Sequence, residues 1–283
     1  MIDILDRKRA LLDNSAIQLL ALSDPTAQRT NEAMDATGTR PLVSVFTATE
    51  ILKGFLKSPM NEKQRARCAY LLRLEGLSFL PEKDESILIE FDRQHGVTKF
   101  LTETRSTIET RRVLRECVEH GLSPELVAAG KAHYASLPAE YETGLQYVRS
   151  NPSADEIRKM SFAQFVQTKA GDVAAQLLRG YLAGFDEPVS QEQFLATVRN
   201  ASTNNGLAPT LAGLARVQLW FSWQVARSKT EDVGKRFRED LKVLAYALNA
   251  HMVVTNDDAY FAHGPEIFPE VRFMRPAELL PGV

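Results

Sequence analysis

At 283 residues, 44% hydrophobic and 25% charged, the chain is long enough for one large core or a core plus a smaller subdomain, and its composition excludes collagenous and disordered classes. Its 34 Lys and Arg nearly balance 36 Asp and Glu, so a net charge of −2 gives no global pull on a polyanion, and binding nucleic acid would need local basic patches. No apolar run approaches the ~18–20 residues that cross a bilayer, and the first basic cluster has two acids ahead of it and no leader-length apolar region after it, so no membrane partner, no secretory leader and a cytoplasmic location are predicted.

The first element is the apolar run Ala10-Leu11-Leu12, which ends in Asp13-Asn14-Ser15 and passes into a helix-like stretch to Leu22. Residues 41–47, rich in β-branched and aromatic side chains, read as a strand, and a helix is predicted to start at Thr49. Asn61 reads as the N-cap of a helix reaching about Leu74 and closed by Gly76, followed by a third strand over 77–81. From about Asp84 to Glu239 the apolar residues recur at helical spacing, as in Val113, Cys117 and Val118, or Leu214, Val217, Phe221 and Val225. Glycines and prolines punctuate this stretch into helices of ordinary length. Residues 251–255 and 271–274 are two more short strands. Strands alternating with helices at both ends predict an α/β fold with a mostly parallel sheet covered on both faces, and the middle predicts an inserted all-helical subdomain. The expected division is a core of 1–95 plus 232–283 and a helical insertion of 96–231. Cys68 and Cys117 lack metal-ligand spacing and read as two reduced thiols.

Four acids stand out by position. Asp13 follows the first strand, Glu50 falls in the first turn of the helix after the second, and Asp257 follows the strand at 251–255. Asp240 opens a predicted helix whose inward stripe is Leu241, Leu244, Ala245 and Leu248. The carboxyl edge of an open α/β sheet is where ligands bind. Carboxylates gathered there repel one another and are costly to desolvate, a conflict that a bound divalent cation resolves. Oxygen ligands suit Mg²⁺ or Mn²⁺, and such ions activate water for phosphodiester displacement. The plain alternative for each acid is a helix cap or turn residue, which Asp258 next to Asp257 illustrates.

These segments resemble the PIN domain, a nuclease fold that includes the VapC-type toxins. Leu11-Leu12-Asp13-Asn14-Ser15 resembles its opening strand, and Phe46 to Gly54 resembles its strand-to-helix segment carrying Glu50. The Asp240 helix, followed 17 positions later by Asp257 at the end of Val253-Val254-Thr255-Asn256, resembles its last acidic pair. The resemblance implies a three-layer fold with strand order 3-2-1-4-5 and metal ligation by Asp13, Glu50, Asp240 and Asp257. Ser15, Thr255, Asn256 and Asp258 would support the ligands or position substrate. It further implies an endoribonuclease, toxin or defence effector, with RNA as substrate, an antitoxin or regulatory protein as partner, and a homodimer as its assembly. The 190 positions from Glu50 to Asp240 exceed the spacing of compact members.

Lys235, Arg236 and Arg238, just before Asp240, and Arg111 and Arg112 on a long helix are candidates for phosphate contacts, with a solvated, ion-paired face as the alternative. Trp220, Phe221 and Trp223 could stack on bases but sit at core spacing. Two other functions fit the same pattern: a PIN-like scaffold that binds RNA or protein without cleaving, and a DNA-directed nuclease of related fold.

Overall fold

The computed structural model describes residues 8–22, 26–96, 105–131, 154–183, 189–204, 206–227 and 242–280. Five strands, β1 (Lys8–Leu12), β2 (Thr39–Ser44), β3 (Ser78–Leu80), β4 (Met252–Val254) and β5 (Arg272–Met274), form one all-parallel sheet of order β3-β2-β1-β4-β5. This is the strand order implied by the resemblance. β1 lies in the middle, and Ala10, Leu11 and Leu12 are fully buried, as an apolar run covered on both faces requires. Pro41 is tolerated in β2 because pairing with β3 begins only at Leu42.

Helices follow the strands directly. α1 (Asn14–Leu20) begins one residue beyond β1, and α2 (Thr26–Ala36) leads into β2. α3 (Val45–Lys53) starts where β2 stops, because the Ser44 hydroxyl caps it by accepting the Thr47 N–H. The predicted strand over 41–47 is thus corrected to Thr39–Ser44, and Glu50 falls in the second turn of α3, not the first. Burial of Val45, Thr47, Ala48 and Ile51 outweighs the β preference of the branched residues among them. α4 (Glu62–Arg73) begins at Asn61, whose side chain accepts the Gln64 N–H, and Gly76 takes the positive φ of 66° that turns the chain into β3.

The chain divides into two compact units. One comprises Met1–Glu82, Thr102–Tyr134 and Asn249–Val283; the other comprises Lys83–Leu101 and Ala135–Leu248. The first boundary therefore lies near residue 82, not 95, for a packing reason. α5 (Lys83–His95) buries Ile87 and Phe91 among Ala174, Leu178, Leu211 and Ala215 of the second unit. α6 (Arg105–His120) belongs to the sheet unit, because Val113, Leu114 and Cys117 join Cys68 and Leu71 of α4 in its core. Both cysteines are buried free thiols, and burial pushes Cys68 up to about 12 and Cys117 up to about 11.

The second unit is helical throughout its described residues: α5, α7 (Ala154–Lys159), α8 (Phe162–Leu182), α9 (Gln191–Thr203) and α10 (Pro209–Arg227). Ser161 and Ser190 form capping boxes with Gln164 and Gln193 at the starts of α8 and α9. Trp220 and Trp223 are buried; Trp223 packs on Phe162 and donates its indole N–H to the Met160 carbonyl at 3.0 Å. They serve the core. No helix among the described residues is long and apolar enough to cross a membrane.

Past Leu244 the chain departs from the helix predicted through Leu248, while Asp240 and Leu241 lie outside the described residues. Residues 242–244 are helical, Tyr246 N–H then bonds to the Val243 carbonyl, and Ala247–Asn249 form a 3-10 turn. Every residue from Val243 to Ala247 is buried, so no amphipathic stripe through Leu248 exists. The closeness is possible because α10 presents Gly213 there: a methyl group on it would overlap the Ala245 carbonyl.

Candidate active site

The site candidate is built where three neighbouring strands end. Leu12 pairs with Val254 and Val254 with Met274, so their carboxyl ends are level. Each ladder extends one bond further, Asp13 N–H to the Val254 carbonyl at 3.0 Å and Thr255 N–H to the Met274 carbonyl at 3.1 Å. Just beyond, the chain turns twice into a helix capped by aspartate. Asp13 caps α1, and Asp257 caps α11 (Asp258–Ile267) by accepting the Ala259 N–H at 2.8 Å.

Asp13 is buried, and its Oδ2 accepts three bonds: from the Ser15 N–H at 3.1 Å, the Ser15 hydroxyl at 2.6 Å and the Thr255 hydroxyl at 3.1 Å. Its Oδ1 lies 3.5 Å from the Tyr260 hydroxyl. Burial pushes the Asp13 carboxyl above its ordinary range, against the lowering effect of the Ser15 and Thr255 bonds. Among the described residues no cationic side chain shifts it.

The two hydroxyls stitch the strand ends together. Ser15 Oγ accepts the Asn256 N–H at 2.8 Å and lies 3.0 Å from Thr255 Oγ1, which accepts the Asp257 N–H at 3.1 Å. Asp13, Ser15, Thr255, Asn256 and Asp257 thus form one connected group. On the residue between Asp13 and Ser15, the Asn14 side-chain oxygen is buried and has no hydrogen-bond partner among the described residues. A buried acceptor left open costs about 1–3 kcal/mol and calls for a reason.

Asp258 is exposed and pairs with Arg275, which follows β5 and stands at the N-cap of α12 (Pro276–Leu279). Glu50 is half-buried on α3. Among the described residues, no three acidic, histidine or cysteine side chains gather into a group that could hold a metal ion. Asp240, Lys235, Arg236 and Arg238 lie outside the described residues. Of the other phosphate-contact candidates, Arg111 donates to the Leu77 carbonyl at 3.2 Å and lies over the Phe79 ring, and exposed Arg112 is forked between Glu109 and Glu116. Both are engaged with their own unit, which favours the packed or ion-paired alternative.

Sequence reasoning missed Tyr260, the open Asn14 acceptor and the role of Arg275. Only Arg275 left a signal, since it follows β5 at the same sheet edge as the two aspartates.

No family model matches this chain, and no curated protein or solved structure matches it.

Proposed function

We propose that the chain is a divalent-cation-dependent endoribonuclease with a PIN-like, three-layer core. One observation carries the reading: a buried carboxylate, Asp13, follows the central strand of an all-parallel sheet of order 3-2-1-4-5, held by two hydroxyls and, among the described residues, paired with no cation. An ionised carboxylate kept from water without a positive partner is costly, and folds retain it where a ligand supplies the charge.

The donor chemistry fits a hard cation. The group's side chains offer only oxygen as a ligand atom, and the buried Asn14 oxygen, on the residue between Asp13 and Ser15, is one more acceptor. In this reading Asp13 and Asp257 hold Mg²⁺ or Mn²⁺, with Glu50 and Asp240 completing the set. Such an ion, when bound, supplies a lowered pKa for water and charge neutralisation at a phosphodiester. The chain's own part is positional. Ser15 and Thr255 hold the Asp13 carboxylate, and Thr255 fixes the backbone that presents Asp257. A toxin or defence role under a partner protein, and a homodimer, belong to the same reading.

A second reading, the non-cleaving scaffold, is favoured by a different observation: Asp13 and Asp257 both cap helices, and no three-acid group forms among the described residues. Purified protein incubated with labelled structured RNA or single-stranded DNA, in Mn²⁺, Mg²⁺ or EDTA, separates the two. Metal-dependent RNA cleavage lost in the Asp13→Asn plus Asp257→Asn double variant supports the ribonuclease. Cleavage of DNA alone replaces RNA with DNA as substrate. No cleavage together with no Mn²⁺ binding by calorimetry leaves the scaffold.

A further inference from the structure

Arg275 is the cation bonded to the loop that joins Thr255 to Asp257. One Nη donates to the Asn256 carbonyl at 2.8 Å, the other pairs with Asp258 Oδ1, and the guanidinium carbon sits 4.1 Å from the centre of the Phe261 ring. Ring and carbonyl fix the plane of the group, while its side chain stays 35% exposed and that of Asp258 93% exposed. The guanidinium has five N–H donors, and these contacts leave some of them over.

An ion pair this open to water contributes little, so replacing its carboxylate costs little. A phosphodiester presents the same pair of oxygens to the guanidinium fork, with a full negative charge. Arg275 also stands directly after β5, on the sheet edge where Asp13 and Asp257 follow β1 and β4. Resting on the ribonuclease reading, we propose that Arg275 binds a backbone phosphate of single-stranded RNA, and that Asp258 holds the guanidinium in place until the phosphate displaces it. Asp258 is then a gate on substrate binding and takes no part in holding the metal.

The test is binding of a fluorescein-labelled single-stranded oligoribonucleotide to the full chain in EDTA, followed by anisotropy over a range of salt. Arg275→Ala weakens binding about 5- to 10-fold, and its log–log salt slope is shallower by about 0.7, the share of one phosphate on a single strand. Arg275→Lys keeps the slope, because the charge remains. Asp258→Asn tightens binding by up to about 5-fold at low salt, the equivalent of the lost ion pair. That gain disappears when Asp258→Asn is combined with Arg275→Ala, which separates release of Arg275 from simple removal of a negative charge. A tighter-binding variant cannot be explained by unfolding. Wild-type binding with an unchanged slope in Arg275→Ala, or an Asp258→Asn gain that survives without Arg275, overturns the inference and leaves the ribonuclease reading standing. Absence of RNA binding by the wild type in EDTA overturns the inference, and the metal-dependent cleavage assay then decides the ribonuclease reading.

Discussion

The Thr255 hydroxyl lies 3.1 Å from Asp13 Oδ2 although 242 positions separate the two residues in the chain. It is fully buried, and it also accepts the Asp257 N–H, so one side chain ties the two aspartates to a common frame. Thr255→Val, close in shape, leaves that N–H unpaired and removes a donor from Asp13. We expect a loss of about 1–3 kcal/mol in urea unfolding and a 10- to 100-fold fall in metal affinity or cleavage. Thr255→Ser should retain most of both. Equal damage from Ser and Val would mean that packing of the methyl, not the hydroxyl, matters.

Asp13→Asn separates a structural from a functional carboxylate. The amide oxygen can still accept the Ser15 and Thr255 bonds, and the charge that burial penalises is gone. Stability should be unchanged or higher by about 1 kcal/mol, whereas cleavage falls about a hundredfold or more. Thermal melting beside the cleavage assay reads both. A destabilised variant would assign Asp13 to the cap alone.

Glu90 makes the helical unit pH-sensitive. It is buried on α5 and accepts the Thr210 N–H at 2.7 Å and the Leu211 N–H at 3.3 Å, capping α10 across 120 positions of sequence. Burial pushes its carboxyl up to about 7, opposed by the Thr210 and Leu211 bonds and by Arg93. The folded state therefore binds a proton that the unfolded chain, near its ordinary value of 4.5, has already released. Glu90's contribution is fully present below about pH 4.5 and declines as pH rises to about 7, by on the order of 3 kcal/mol at most. In Glu90→Gln that part of the decline is absent. Denaturation of the two proteins at pH 4.5 and pH 7.5 should give a difference that grows in favour of Gln; a constant difference would refute the assignment.

Two glycines in the helical unit should respond oppositely to alanine. At Gly213 the new methyl meets the Ala245 carbonyl, a backbone atom that cannot step aside, and a loss of about 1–3 kcal/mol is expected. At Gly180, exposed on α8 with no atom within 4 Å, alanine should stabilise by about 0.5–1 kcal/mol. Differential scanning fluorimetry of the pair is sufficient.

What could be read in advance follows the range of the signal. Strand ends were legible because an apolar run stopped by Asp13, or by Asn256 and Asp257, is a local pattern, and the same locality announced the Asn61 cap. The boundary at residues 44–45 was not, because a β-branched run is ambiguous until tertiary burial decides. The helix predicted through Leu248 stops short after Leu244 for a related reason: its periodicity reads as amphipathic, but Val243 to Ala247 are all buried. Arg111 and Arg112 looked alike as cations, yet one covers Phe79 and the other is held between two glutamates.

The residue pattern alone specifies an α/β arrangement, the approximate places of its five strands and the aspartates just beyond two of them, since hydrophobic period and turn chemistry act over a few residues. Only the tertiary structure decided that Thr255 serves Asp13, that Arg275 is shared by Asn256, Asp258 and Phe261, that α6 belongs with the sheet and that Glu90 is sealed from water. Those facts depend on contacts between distant segments, whose energies are set by burial and exclusion of water, and no local pattern of residues encodes them.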